Sequence, residues 1–211
     1  MLQHHCVRKS YDTVAEEYAT GFRDELAGKP LDRALLASLA EQAGNGAPIA
    51  DLGCGPGHVS AWLAGQDVAP VGIDLSPAMI AVGRRDHPNV EFREGDLLEL
   101  PAADGEFAAA IAFYSIIHPQ PGELRRAFGE IHRVLRPGGL FLVSFHAGSE
   151  VRHLDEWWGH PVDVDFRFYE PPQIASAIEP AGFRTEMRLE RVSYPGEADT
   201  RRAYLLARRQ P

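Results

Sequence analysis

The stretch Asp51-Leu-Gly-Cys-Gly-Pro-Gly57 decides the reading of this chain. It follows a short apolar run at residues 49–52 and precedes a helical pattern at 58–65. Glycines at 53, 55 and 57 lack the Cβ atoms that would hold backbone away from a ligand. The helix behind them presents amides with no intrahelical partner. A dinucleotide-binding turn reads G-x-G-x-x-G and needs glycine at position 58, which here is His58. Asp51, two residues before the first glycine, would repel a pyrophosphate but suits an ammonium group. The turn therefore favours a cationic, phosphate-free nucleoside over a nicotinamide dinucleotide.

Outward from this turn, strands and helices alternate. A strand at 68–74 ends on Asp74, 23 residues beyond Asp51, where a carboxylate is the expected acceptor for ribose hydroxyls. A helix at 77–85 follows, then a strand at 90–94 leading to Asp96, placed to accept an adenine amino hydrogen. Residues 107–114 are almost wholly apolar, as in a central strand covered on both faces. An amphipathic helix at 122–135 and a strand at 140–146 complete the series. This alternation predicts a doubly wound parallel sheet with right-handed crossovers. Two helices precede it, at 10–19 with Ser10 as cap and at 31–43. A helix at 171–181 and two strands at 184–192 and 201–208 close the chain as an antiparallel pair. Residues 148–170, with two Trp, two His and six acidic residues, read as an irregular insert over the sheet edge.

Composition sets the frame. At 211 residues, 45% hydrophobic and 24% charged, the chain predicts one globular domain over 1–211, with 148–170 as a substrate-side insert. A net charge of −9 speaks against a nucleic-acid binder. Two cysteines are too few for a disulfide framework. No run approaches the roughly 20 apolar residues that span a bilayer. The first ten residues are polar, with no signal-peptide pattern. The expectation is a cytoplasmic monomer or homodimer that engages neither membrane nor nucleic acid. His146, His153 and His160 recur every seven residues, with Asp155 among them and Asp163 and Asp165 just after, but the spacing fits no metal-ligand motif, so no metal is expected.

Four motifs in register resemble a class I S-adenosylmethionine-dependent methyltransferase: Asp51–Gly57, Gly72-Ile-Asp-Leu-Ser-Pro77 with Met79, Glu94-Gly-Asp-Leu97, and Val134-Leu-Arg-Pro-Gly-Gly139 before a strand. The resemblance covers residues 10–146. It implies a Rossmann-like sheet of seven strands, order 3-2-1-4-5-7-6, with the last strand antiparallel and helices on both faces. It implies S-adenosyl-L-methionine as cofactor, with Asp51, Gly53, Gly55 and Gly57 around its methionine end and Asp74 on the ribose. Leu75 and Met79 would flank the adenine, Asp96 and Leu97 would read its edge, and Phe113 would lie alongside. It implies that residues 1–45 form an N-terminal helical lid, from which Tyr11 and Tyr18 would cover the site. The implied activity is methyl transfer to an oxygen, nitrogen or carbon nucleophile; the alternative is a cofactor-binding protein that runs a non-methylating reaction or has lost transfer.

At residues 113–118 the sequence is Phe-Tyr-Ser-Ile-Ile-His, not the Asn/Asp-Pro-Pro-aromatic motif of enzymes that methylate amines of nucleic acids and proteins. With the acidic balance, this favours a small-molecule substrate. His118 and His146 end the fourth and fifth strands and are the candidate catalytic bases, with an ordinary pKa of about 6.5 suited to that role. Tyr114, Trp157 and Trp158 are the candidate substrate contacts.

Overall fold

The computed structural model describes residues 2–211. Strands β1 (Pro48–Leu52), β2 (Ala69–Asp74), β3 (Glu91–Glu94), β4 (Phe107–Phe113) and β5 (Leu135–Ala147) form the parallel part of the large sheet. After β5 the chain makes a separate hairpin of β6 (Val151–Trp157) and β7 (His160–Arg167), and returns through β8 (Phe183–Arg191) and β9 (Arg201–Arg209). The large sheet runs β3-β2-β1-β4-β5-β9-β8, with β9 antiparallel to both neighbours. The sequence predicted seven strands numbered 3-2-1-4-5-7-6. The final two numbers shift because the hairpin adds two strands that pair only with each other.

The sheet core follows from β4. Its small residues alternate: Ala110 and Ala112 join the cluster under α6 (Pro121–Val134) and α7 (Pro171–Ile178). Ala109 and Ile111 face the cluster under α3 (Pro30–Ala43) and α4 (His58–Ala64). A strand packed on both faces cannot show a polar stripe, which is why this run is apolar throughout. The amphipathic face of α6 supplies Leu124, Phe128, Ile131 and Val134 to the first cluster. A capping box between Gln120 and Glu123 starts that helix.

Three expectations need correction. The N-terminal helix is not a single segment capped by Ser10. It is α1 (Leu2–Thr13) and α2 (Ala15–Phe22), broken at buried Val14. Ser10 lies inside α1, where its Oγ accepts from Asp163 N of β7 at 2.9 Å. Residues 148–170 are not irregular: the hairpin turns on Trp158-Gly159, both with positive φ (52° and 80°). Gly57 does not line a ligand site. With φ +84° it starts α4, and a Cβ there would stand 2.4 Å from Phe92 Cζ. Gly72 and Gly83 back the same ring, so Phe92 of β3 fills a notch made by three glycines, and Gly57 sets how closely α4 approaches that ring.

Gly57→Ala should cost about 2–4 kcal/mol of unfolding free energy, from overpacking plus a left-handed backbone. Adding Phe92→Leu should recover part of it. Urea denaturation measures both; a single-variant loss below about 1 kcal/mol would contradict this packing.

Candidate functional site

The ends of β1, β2 and β4 and the loop after β3 open on one cavity of about 660 Å³, within the usual range of small-ligand sites of about 300–1,000 Å³. It lies where the strand order reverses between β1 and β4, the expected crevice of an open α/β sheet. The floor begins with the glycine turn. Gly53 has φ +68°, and a Cβ there would lie 2.3 Å from Ser115 Cβ. Gly55 has φ +54° and donates its N–H to Asp74 Oδ2 at 2.8 Å.

Three carboxylates ring the turn. Asp51 is 2% exposed and accepts from Ser60 Oγ at 2.6 Å. Burial raises its pKa to about 6. Asp74 accepts from Gly55 N and, at Oδ1, from Ser76 N at 2.8 Å; burial raises it to about 6 as well. Neither forms an ion pair among the described residues. Asp96 accepts from Leu98 N at 2.8 Å, and its Oδ2 lies 3.0 Å from His4 Nδ1 of α1. The other nitrogen of His4 reaches Glu123 Oε1 at 3.2 Å.

The cover is built jointly by α1, α2 and the hairpin. Tyr11, Tyr18 and Trp157 meet edge to face with ring centroids 5.7–6.0 Å apart. Asp12 ties α1 down by accepting from Ser76 Oγ at 2.6 Å, and Ser76 in turn caps α5 (Pro77–Asp86) through Met79 N. Tyr11 Oη lies 2.8 Å from His118 Nε2, and His118 Nδ1 lies 3.0 Å from the Asp165 carbonyl. A carbonyl only accepts, so Nδ1 carries the proton and Tyr11 donates to the Nε2 lone pair. Burial lowers the His118 pKa to about 4.

A second lobe extends past Tyr114 toward the β8–β9 loop. It is lined by Lys29, Asp32, Tyr114, His146, Glu197 and Arg202. Tyr114 follows β4 with φ +56°, a conformation costing about 1–3 kcal/mol for such a residue. Lys29 Nζ and Arg202 Cζ stand 5.3 and 5.8 Å from its ring centroid. Glu197 accepts from Arg191 Nη1 at 2.6 Å and Tyr194 N at 2.7 Å; although burial opposes it, these partners hold its pKa at about 2. Burial, then the charges of Arg202, Arg152 and Lys29, lower His146 to about 4.

The cavity brings together Tyr11, Tyr18, Asp51, Gly53, Gly55, Asp74, Leu75, Asp96, Leu97, Phe113, Tyr114, His118, His146 and Trp157 of the expected site residues. Three stand elsewhere. Gly57 backs Phe92. Met79 is 1% exposed, packed under α2 with Ala15, Ala19 and Val82. Trp158, 45% exposed, stacks on the far side of Trp157 at 4.9 Å. The regularly spaced histidines do not converge: His153 pairs with Asp165 and His160 with Glu17. Among the described residues no group of three or more potential ligands could hold a metal, and no helix is long and apolar enough to cross a membrane. Sequence reasoning missed His4, Asp12, Arg202 and Lys29. Only Lys29 left a trace, as one of two lysines among 21 basic residues.

Residues 49–139 match the family model of a methyltransferase domain. Demethylmenaquinone methyltransferase of Chlorobaculum parvum is 34% identical over 144 residues, 65% of this chain and 58% of that protein. Malonyl-[acyl-carrier protein] O-methyltransferase of Pectobacterium atrosepticum is 34% identical over 116 residues, 54% of this chain and 44% of that protein. The chain thus spans about half the length of these two curated relatives. The fold matches Burkholderia thailandensis 1,6-didemethyltoxoflavin-N1-methyltransferase, solved with 1,6-didemethyltoxoflavin and S-adenosylhomocysteine, at TM-score 0.75 and 21% identity over 98% of this chain and 88% of that one.

His118 and His146 should stay neutral far below the ordinary histidine range, because burial disfavours the charged ring. Their ring resonances should not shift between about pH 8 and pH 5.5 in an NMR titration. Midpoints near 6.5, the value expected of an unburied base, would contradict the site described.

Proposed function

We propose that residues 49–139, which match the methyltransferase-domain model, form a class I S-adenosylmethionine-dependent methyltransferase domain, and that the chain transfers a methyl group from S-adenosylmethionine to a nucleophile of a small molecule. One observation carries the reading: acidic side chains at the ends of β1 and β2 and just after β3 converge on the Gly53–Gly55 turn beneath an aromatic cover. Asp51, buried, and Asp74, half-buried, are carboxylates without an ion-pair partner among the described residues, an acceptor set that fits an ammonium group and ribose hydroxyls. The relatives named for demethylmenaquinone and the neighbour named for 1,6-didemethyltoxoflavin support a small acceptor.

When bound, the cofactor supplies an electrophilic methyl group on a sulfonium. The chain's own work is to bind, orient and keep water out. Asp51 with Gly53 takes the amino-acid end, Asp74 accepts from the ribose, and Leu75 and Leu97 flank the base. Asp96 shares the adenine edge with His4, and Phe113 lies alongside. Tyr11, Tyr18 and Trp157 shield the crevice. Holding an acceptor about 3–3.5 Å from the methyl carbon accounts for much of the rate. His118 and Tyr11 form the candidate proton path, since the Nε2 lone pair is free of its own proton and already receives the Tyr11 hydroxyl. A protonated acceptor delivers its proton to the Tyr11 oxygen as Tyr11 delivers its own to His118. His146 stands off this path, in the second lobe.

Calorimetry should show micromolar binding of S-adenosylhomocysteine, about −8 kcal/mol. Asp74→Ala should weaken it by about 1.5–3 kcal/mol, the worth of a hydrogen bond to a charged group. Methyl-labelled cofactor with fractionated extract should place label on a low-molecular-weight product. His118→Ala should then lower turnover at least about a hundredfold with cofactor affinity unchanged. Absent S-adenosylhomocysteine binding, or label only on macromolecules, would overturn the reading.

A further inference from the structure

The second lobe holds a cation that the protein leaves incompletely paired. Arg202 is 4% exposed and lines the cavity. Its Nη1 donates to the Thr200 carbonyl at 2.8 Å and to Thr200 Oγ1; its Nη2 donates to the Ala198 carbonyl at 3.2 Å. Its nearest carboxylate oxygen, Glu197 Oε2, lies 4.0 Å away and is already held by Arg191 and Tyr194 N. The neighbouring cations are better served. Lys29 Nζ sits 2.5 Å from Glu25 Oε1 and 3.3 Å from Glu197 Oε1. Arg191 contacts both Glu197 and Asp32. A buried guanidinium surrounded by neutral oxygens gains strongly from an anionic partner, and its planar fork suits a carboxylate or other oxyanion.

His146 stands across the same strand pair, Cα partner of Arg202 in the β5–β9 register. Its Nδ1 is 2.8 Å from Thr200 Oγ1. A guanidinium N–H can only donate, so Thr200 Oγ1 accepts from Arg202. We assign the Thr200 hydroxyl proton to the Nδ1 lone pair of His146, its remaining hydrogen-bond neighbour among the described residues. A neutral imidazole carries one proton, so that proton sits on Nε2. The chain Arg202 to Thr200 to His146 therefore runs in one direction and ends in a donor. Nε2 has no protein partner among the described residues, and the ring lines the cavity. Stacking on Phe168 at 4.8 Å and 17° fixes the plane of the ring. The two histidines are thus opposite tautomers: His118 offers a lone pair at Nε2, and His146 offers a proton.

We propose that the second lobe binds an anionic oxygen group of the methyl acceptor, a carboxylate or an ionised acidic hydroxyl, held by the Arg202 guanidinium and the Nε2–H of His146 beside the ring of Tyr114. The word acceptor rests on the methyltransferase reading; the anion site itself does not. Thr200 is the positioning residue, because it sets which His146 nitrogen carries the proton. His146 binds rather than abstracts, and the role of base falls to His118. The left-handed backbone at Tyr114 holds the ring between the two cations, where it forms a flat wall against an unsaturated or aromatic acid.

The test uses three probes of one shape: benzoate, ionised 4-nitrophenolate and neutral benzamide. Each is titrated calorimetrically into the full chain, with and without saturating S-adenosylhomocysteine. At least one anion should bind ten times tighter than benzamide or better, a difference of about 1.4 kcal/mol, and the stronger of the two names the oxygen type. Arg202→Gln should abolish the preference and Arg202→Lys, which keeps the charge but loses the fork, should keep only part of it. If Arg202→Gln does not fold, Thr200→Val provides the second variant and should reduce the preference several-fold. Nitrogen NMR of the wild-type rings should show His146 protonated at Nε2 and His118 at Nδ1, with the Nε2–H of His146 shifting on addition of the preferred anion. Equal binding of anions and benzamide, no anion binding at millimolar concentration, or a proton on Nδ1 of His146 would overturn the proposal. Normal S-adenosylhomocysteine binding with no anion preference sinks this inference alone. An anion preference without S-adenosylhomocysteine binding sinks the methyltransferase reading alone.

Discussion

Two carboxylates on the cavity wall, Asp51 buried and Asp74 half-buried, stand without an ion-pair partner among the described residues. Asp51 and Asp74 end adjacent parallel strands, and burial lifts both from an ordinary carboxylate pKa to about 6. Because the folded pKa stands above the unfolded one, the stabilisation is full below the unfolded pKa and is lost as pH rises through about 6. At neutral pH the ligand-free fold therefore carries a local cost. A ligand that brings an ammonium group to Asp51 and hydroxyl donors to Asp74 relieves it. On the proposed reading, the glycine turn lets that ligand approach and the cover keeps water from competing.

The cover is one unit assembled from distant sequence. Asp12 anchors α1 on the start of α5, Ser10 accepts from the hairpin at Asp163, and His160 reaches Glu17 of α2. The Tyr11–His118–Asp165 chain then links lid, sheet and hairpin through a single imidazole. The cover thus combines an aromatic cluster with specific polar ties to the sheet and the hairpin. The same bonds that close it also set the tautomer of the candidate base, so closure and proton acceptance arrive together.

Much of this was legible in the residues. The parallel sheet followed from alternation of apolar runs with helical periods, and the three acidic residues followed from their places at strand ends. The failures have physical reasons. Gly57 looks like its neighbours, but the ring that demands it, Phe92, lies 35 residues away. The hairpin went unread because its turn uses Trp158 where Asn or Asp would have announced it. Met79 lies on the buried side of α5, a distinction that depends on where α2 packs. The second lobe was invisible because Lys29, His146 and Arg202 come from a helix start, a central strand and the last strand. Nothing in their local sequence says that they meet.

The most direct test of the account is the proton balance of ligand binding. S-adenosylhomocysteine is titrated calorimetrically into the chain in two buffers that differ in ionisation heat, near pH 6 and again near pH 8. If Asp51 and Asp74 must be ionised to hold the ligand, binding near pH 6 releases about half to one proton, and near pH 8 almost none. Binding that releases no proton near pH 6, or takes one up, would contradict the claim that these two carboxylates form the heart of the site.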